Sequence, residues 1–104
     1  MTEADILAAA RVAASRAGAT LFRNNTGALR DPSGRLIRFG LHVGSSDLIG
    51  WTPRNGVAVF TAVECKAPRG RLTPEQERFL DAVRAAGGIG LVCRDPDALS
   101  EALR

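Results

Sequence analysis

Residues 47–66 read DLIGWTPRNGVAVFTAVECK, and this stretch decides the fold of the chain. The pair Asn55-Gly56 stands between two largely apolar runs, which is the strongest short-range signal of a β-hairpin with a two-residue turn. If the turn has only these two residues, counting back pair by pair along the strands places Asp47 directly opposite Glu64. The sequence therefore predicts two carboxylates side by side at the open end of a hairpin.

Paired carboxylates in this position need a positive partner. Side chains directly opposed across an antiparallel pair have Cβ atoms about 5 Å apart, so the two charges repel each other unless a cation lies between them. A divalent cation that prefers oxygen ligands fits this pair, either Mg²⁺ or Mn²⁺. Because successive side chains of a strand alternate between its faces, Lys66 shares the face of Glu64 and the side chain of Cys65 packs on the other. The backbone carbonyl of Cys65 remains available as a further metal ligand.

Lys66 is the only lysine among the 14 lysines and arginines of the chain. An ammonium is a compact, rotatable point charge whose pKa moves readily, whereas a guanidinium is a fixed planar fork that stays charged. Beside a cation, an ammonium can orient the attacking water and stabilise the negative charge that develops on a phosphate. The pattern predicts metal-assisted hydrolysis of phosphodiester bonds, in which the cation neutralises charge on the scissile group.

Other interpretations of the same residues stay open at this point. Pro53 weakens pairing beside the turn, and a loop from Thr52 to Gly56 would shift the register. Asp47 follows Gly-Ser-Ser and could simply initiate a turn. Glu64 and Lys66 could form an exposed ion pair, which would contribute little to stability. Each of these would weaken the argument for a metal site.

The rest of the chain supplies helices and strands on both sides of the hairpin. Capping residues, apolar periodicity and turn residues mark each element. In chain order these are a helix from Thr2 to about Arg16, a strand Thr20–Arg23, turns at 24–27 and 31–34, an edge ribbon Leu36–Leu41, the hairpin, a helix from Thr73 to Gly87, a buried strand Ile89–Cys93 and a helix after Asp95-Pro96. The last strand, helix and strand in succession imply a parallel pair covered by the helix. The predicted fold is α/β, with a mixed central sheet flanked by helices in the order α-β-(β)-β-β-α-β-α.

Gln76 has both a structural and a functional interpretation. It stands three residues after Thr73 and so completes a capping box at the start of its helix. It also lies three and four residues before Phe79 and Leu80, which places it on the helix face that packs toward the sheet. A glutamine at this position can therefore cap the helix or reach the carboxylate pair.

Composition limits the classes of protein that the chain can form. The 104 residues suit one domain, residues 1–104, and no apolar run approaches the roughly 20 residues needed to span a bilayer. We expect no secretory signal, and the free thiols of Cys65 and Cys93 suit a reducing cytoplasm. A net charge of +3 and a pI near 9.7 permit a nucleic-acid partner. With His42 as the only histidine, neither a His-based zinc site nor a conventional serine triad can form.

Several motifs follow one another along nearly the whole chain. They are Glu3, Arg23-Asn24-Asn25, Gly44-Ser45-Ser46-Asp47-Leu48, Glu64-Cys65-Lys66, Gly70-Arg71-Leu72-Thr73-Pro74-Glu75-Gln76 and Gly87-Gly88. This ordered set resembles the PD-(D/E)xK nuclease superfamily, with Ser46 in the place of the proline. More narrowly, it is similar to the virus-type replication-repair nuclease domain, VRR-NUC.

The resemblance implies a restriction-endonuclease-like core and assigns a role to each site residue. Asp47 and Glu64 are the expected metal ligands, Lys66 is the expected catalytic lysine, and Gln76 is an expected helper in the active site. Glu3 is a candidate outer ligand, although the helix dipole alone also favours an acidic residue at this position.

The function implied by the resemblance is Mg²⁺-dependent cleavage of DNA. Small members of this family, often carried by phages, tend to act as homodimers on branched DNA such as Holliday junctions or flaps in replication, repair or recombination. The expected setting is thus the cytoplasm of a bacterium or a phage-infected host. The residues expected to contact DNA are Arg23, Asn24, Asn25, Arg69 and Arg71, of which the first three could instead form a turn.

Two other classes of function compete with this one. The basic pI would also suit a non-catalytic nucleic-acid-binding module, whose binding would depend on salt but not on metal. Alternatively, the chain could be a small α/β interaction protein in which the acidic pair is incidental. Replacing Asp47 and Glu64 would then change stability more than any activity.

Overall fold

The computed structural model describes residues 1–104 and contains three helices and six strands. In chain order they are α1 (Glu3–Arg16), β1 (Thr20–Arg23), β2 (Gly27–Arg30), β3 (Leu36–Phe39), β4 (Leu48–Arg54), β5 (Val57–Cys65), α2 (Pro74–Ala85), β6 (Ile89–Cys93) and α3 (Pro96–Leu103). Four strands form a sheet in the order β1-β4-β5-β6, and β2 and β3 form a separate pair. Strand β6 runs parallel to β5, while the other neighbours are antiparallel. The predicted α/β class with a mixed sheet and flanking helices is confirmed. None of the three helices has the length and apolar character of a membrane-spanning segment.

The hairpin of β4 and β5 has the predicted register. Asn55 and Gly56 form its turn with φ values of 52° and 76°, the left-handed conformations that a two-residue hairpin turn requires. Pairing continues without interruption to Leu48 opposite Val63. The alternative of a longer loop is wrong. Antiparallel pairs alternate between hydrogen-bonded and non-hydrogen-bonded positions, and Pro53, one pair from the turn, occupies a non-hydrogen-bonded one.

Helices cover both faces of the sheet because β5 alternates between two cores. Val63 and Cys65 belong to a cluster between the sheet and the helices α1 and α3, whereas Ala62 packs with α2. The larger cluster comprises Ile6, Ala10, Ala14, Ala19, Leu48, Val63, Cys65, Cys93, Leu99 and Leu103. The prediction that the side chain of Cys65 packs in the core is confirmed. Its hydrogen bond with Cys93, together with burial, raises the pKa of the Cys65 thiol, which therefore stays neutral.

The ribbon of β2 and β3 differs from the sequence-based prediction. The sequence predicts a turn at 24–27 and a single ribbon strand up to Leu41, but β2 begins at Gly27 and β3 ends at Phe39. The Phe39 ring lies over Gly27, its partner in the register, where any Cβ would collide with it. Gly27-Ala28 has little intrinsic strand propensity, so β2 depends on its partner strand. The turn predicted at 31–34 is confirmed and closes the ribbon.

Strand β1 brings the residues that follow it next to the start of β4. Arg23 pairs with Leu48, which is the last pair before Asn24 and Asp47. The two strands approach closely because β4 has Gly50 at the crossing, where a Cβ would collide with the backbone of β1. The open end of the hairpin and the end of β1 therefore form one edge of the sheet.

Candidate active site

Asp47 lies immediately before β4, at the open end of the hairpin. Its Oδ2 accepts a hydrogen bond from the backbone N–H of Cys65 at 2.7 Å, so its carboxylate is bound to the facing strand. Its backbone carbonyl accepts a hydrogen bond from the N–H of Asn24, also at 2.7 Å. A residue that initiates a turn would bond through its side chain to its own loop, and the side chain of Asp47 makes no such bond. The interpretation of Asp47 as a turn initiator is therefore wrong.

Glu64 is the only charged residue buried in the protein, with 1% of its surface exposed. Its Oε1 accepts a hydrogen bond from Nε2 of Gln76 at 3.0 Å, but its Oε2 has no partner. Burial, followed by the negative charge of Asp47, raises the pKa of Glu64 to about 8. A buried carboxylate oxygen without a partner, beside a second carboxylate, is a position that a cation would complete.

Lys66 directly follows β5, where its backbone N–H donates to the carbonyl of Cys93 at 3.0 Å. Its ammonium takes part in none of the ion pairs of the protein, all of which join an arginine to an acid three residues away. The interpretation of Glu64 and Lys66 as an exposed ion pair is therefore wrong. The charge of Lys66 nevertheless lowers the pKa of Glu64, so the ammonium lies within electrostatic reach of the carboxylate. It remains free to bind another anion.

Gln76 caps its helix and also contacts Glu64. Its backbone N–H donates to Oγ1 of Thr73 at 3.2 Å, and its Oε1 accepts from the N–H of Thr73 at 2.9 Å. Both bonds of the predicted capping box are thus present. Its Nε2 is directed the other way and donates to Glu64. One side chain therefore fixes the helix terminus and orients a carboxylate oxygen.

Replacing Gln76 with glutamate should separate these two roles. Glutamate also completes a capping box, so we expect the melting temperature to change little, but it cannot donate to Glu64 and adds a third negative charge there. We expect cleavage to fall by roughly 10- to 100-fold, as for other residues that orient a metal ligand. Steady-state kinetics and thermal unfolding on Gln76→Glu and Gln76→Ala would test this. Equal activity of Gln76→Glu and the wild type would contradict it.

The donors around Asp47 and Glu64 suit a hard divalent cation. No group of three or more histidine, cysteine, aspartate and glutamate side chains converges to hold a metal. Mg²⁺, however, is usually bound by one or two carboxylates and several waters, so this pair with the carbonyl of Cys65 is sufficient. Glu3 lines a cavity of about 210 Å³ together with Asp47 and Arg23. Its role as an outer ligand stays a prediction.

The raised pKa of Glu64 predicts how stability depends on pH without metal. Between about 4.5 and about 8 the folded protein keeps a proton on Glu64 that the unfolded chain has lost, so the free energy of unfolding should fall as the pH rises through this range. Glu64→Gln should lack this component. The difference between the two proteins should approach about 5 kcal/mol, since the pKa rises from 4.5 to about 8 and one pKa unit corresponds to about 1.4 kcal/mol.

Urea unfolding of the wild type and Glu64→Gln in EDTA, from pH 5 to pH 9, would measure this difference. Adding Mg²⁺ should stabilise the wild type more at the high end of the range, because a carboxylate must lose its proton to bind a metal. Parallel pH profiles of stability for the two proteins would contradict the raised pKa of Glu64.

The residues predicted to contact DNA have different surroundings. Arg23 and Asn25 are exposed at the end of β1, and Arg69 and Arg71 are exposed in the loop between β5 and α2. Asn24 differs from these because its side-chain amide is bonded inside the protein, to Oγ of a serine and to a backbone carbonyl. The structure therefore leaves four of the five side chains accessible to a phosphate backbone.

Arg94 contributes to this surface in a way that the sequence did not indicate. One of its guanidinium nitrogens donates to the carbonyls of Ala67, Pro68 and Gly70 in the loop between β5 and α2. This one nitrogen bridges three carbonyls of the same loop, so Arg94 holds the loop that presents Arg69 and Arg71. A single arginine after a strand gives no sequence signal for such a contact.

A mixed sheet whose central hairpin ends in facing carboxylates, with a lysine beside them and helices on both faces, defines an α/β domain of the nuclease type. The family model of the VRR-NUC domain matches residues 3–95, nearly the whole chain. The chain therefore belongs to the VRR-NUC family, and it is a nuclease domain with DNA as its substrate. No curated protein and no solved structure matches it.

Proposed function

We propose that this domain is a Mg²⁺- or Mn²⁺-dependent endonuclease that hydrolyses phosphodiester bonds in branched DNA, Holliday junctions or flaps, in replication, repair or recombination. The observation that carries the metal dependence is the buried Oε2 of Glu64, which lacks a partner beside the Asp47 carboxylate. A buried carboxyl oxygen without a partner, next to a second carboxylate, is costly to retain in a structure. A cation that binds at this point would offset that cost.

The two acidic residues and the residues around them have separate roles in the proposed reaction. Asp47, Glu64 and the carbonyl of Cys65 hold the cation, which supplies charge neutralisation and activation of water when it is bound. The hydrogen bond from Gln76 fixes the Glu64 carboxylate. The unpaired ammonium of Lys66 orients the attacking water and stabilises negative charge on the phosphate.

The test of this function is a panel of labelled DNAs, containing linear duplex, single strand, flap and four-way junction. Each is incubated with the protein in Mg²⁺, in Mn²⁺ and in EDTA. We expect cleavage of the branched substrates with either metal and none in EDTA. Salt-sensitive binding without cleavage under any condition would favour a non-catalytic binding module instead. Equal cleavage of linear and branched duplexes would contradict the branched preference.

We also propose that the protein acts as a homodimer whose interface includes the β2–β3 ribbon. Leu29 and Ile37 face each other across the ribbon, on the same side as Phe39, and all three are exposed by at least 40%. The ribbon makes few contacts with the rest of the protein. The whole protein extends to 49 Å along its longest axis. An isolated two-stranded ribbon is marginally stable in water, so an apolar partner surface would explain its sequence. A second copy also adds a second active site, as paired cuts in a branched DNA require.

Sedimentation equilibrium would test the dimer. Leu29→Ser combined with Ile37→Ser should shift the protein toward monomers and weaken cleavage of four-way junctions more than nicking of simple substrates. Val12→Ser, which changes an exposed valine on α1, is the matched control. A monomeric wild type at all micromolar concentrations would contradict the proposal.

A further inference from the structure

Asn24 is the centre of a hydrogen-bond group that holds the loop before Asp47. Its Nδ2 donates to Oγ of Ser45 at 2.7 Å and to the carbonyl of Ser46 at 3.0 Å, and its Oδ1 accepts from the N–H of Leu41 at 3.4 Å. Its backbone N–H donates to the carbonyl of Asp47 at 2.7 Å. One residue thus binds both ends of the segment 41–47.

Ser45 continues this group into the loop. Its Oγ, which accepts from Asn24, donates to the carbonyl of His42 at 2.7 Å. Ser45 and Ser46 are buried, with 7% and 0% of their surface exposed. The hydroxyl of Ser46 has no partner, so Asn24 holds this residue only through its carbonyl. The buried Ser45 hydroxyl depends on its partners, so the loss of Asn24 would release the loop.

The same loop packs against the helix that supplies Gln76. Gly44 has a φ of 87°, and a Cβ there would collide with the backbone of Glu75 in the first turn of α2. The segment 41–47 therefore lies between Asn24 on one side and the start of α2 on the other. Its position sets the distance between Asp47 and the carboxylate that Gln76 orients.

We propose that Asn24 is a positioning residue for Asp47, and not a contact to DNA phosphate. Through the loop it keeps the Asp47 carboxylate on the N–H of Cys65 and beside Glu64. This inference rests on the proposed function, because it assigns Asn24 to the metal-binding acid. A side-chain amide whose donors and acceptor are already bonded inside the protein has little capacity left for a phosphate.

Amide hydrogen exchange in metal-free protein tests the positioning directly. In Asn24→Ala the amide of Cys65, which donates to Asp47, should exchange at least about tenfold faster, as expected when a local opening is eased by roughly 1.4 kcal/mol. Amides in the middle of β5 should exchange as in the wild type. Asn25→Ala, which changes the exposed neighbour, should leave exchange at Cys65 unchanged. Uniformly faster exchange throughout β5, or unchanged exchange at Cys65, would overturn the proposal.

Kinetics supply the second readout. Asn24→Ala should lower kcat by roughly 10- to 100-fold and raise the Mn²⁺ concentration for half-maximal activity, with DNA affinity in EDTA within about twofold of the wild type. Asn24→Asp keeps the shape of the side chain but cannot donate to Ser46, so it should lower kcat in the same way and serves if the alanine variant does not fold. Weaker DNA binding with unchanged kcat would overturn the positioning role and restore the phosphate contact. A wild type that cleaves nothing with any metal would overturn the proposed function as well.

Discussion

Replacing Asp47 with asparagine is expected to reduce DNA cleavage at least about 100-fold while making the metal-free protein more stable. Asparagine keeps an oxygen that can accept the hydrogen bond from Cys65, so the hairpin should stay intact. It loses the charge that we propose binds the cation. A bound cation contributes several kcal/mol to the transition state, and each 1.4 kcal/mol corresponds to about tenfold in rate. It also removes the repulsion that raises the pKa of Glu64.

The combination of slower cleavage and higher stability in Asp47→Asn makes this prediction specific to a metal site. Like charges directly opposed on a hairpin cost roughly 0.2–1 kcal/mol, which corresponds to a rise in melting temperature of a few degrees for a domain of this size. Thermal unfolding in EDTA at pH 9, above the raised pKa of Glu64, would measure it beside single-turnover cleavage in Mg²⁺. Asp81→Asn, which changes an exposed acid on α2, is the matched control. Loss of stability with activity retained would contradict the assignment and favour an incidental acidic pair.

The hairpin explains why the placement of the facing carboxylates could be predicted from the sequence. Asn55-Gly56 fixes the turn, and once the turn is fixed, strand geometry carries the register to the carboxylates without further information. The capping box of Gln76 is likewise a local pattern of four residues. Both predictions rest on interactions between neighbours in the sequence.

The parts that could not be predicted depend on contacts between distant residues. The amide of Asn24 reaches Ser45 and Ser46 only because β1 pairs with β4, and a motif of polar residues gives no sign of which one turns inward. Strand β2 starts with a glycine that has no propensity of its own and forms against Phe39. The raised pKa of Glu64 depends on burial under α2, which strand alternation suggests but cannot quantify.

Lys66→Arg is expected to bind DNA as the wild type does and to cleave it at least about tenfold more slowly. Lys66→Ala should cleave roughly 10²–10³-fold more slowly, the usual effect of removing one group that stabilises transition-state charge. Both variants should fold, because the ammonium of Lys66 makes no ion pair in the protein. Affinity for labelled duplex and junction in EDTA, with single-turnover rates in Mg²⁺, would separate binding from chemistry. Arg78→Ala, on the exposed side of α2, is the control for a general loss of positive charge.

The pH profile of stability gives a check on Lys66 that does not depend on activity. Its charge lowers the pKa of Glu64, so in Lys66→Ala the loss of stability with rising pH should extend to higher pH than in the wild type, whereas Lys66→Arg should keep the wild-type profile. An arginine that preserves the electrostatic effect on Glu64 and the affinity for DNA, yet fails in cleavage, would show that the reaction needs a compact, rotatable ammonium and not merely a positive charge. Full activity in Lys66→Arg would mean that charge alone suffices, and the single lysine of this arginine-rich chain would then have no catalytic explanation.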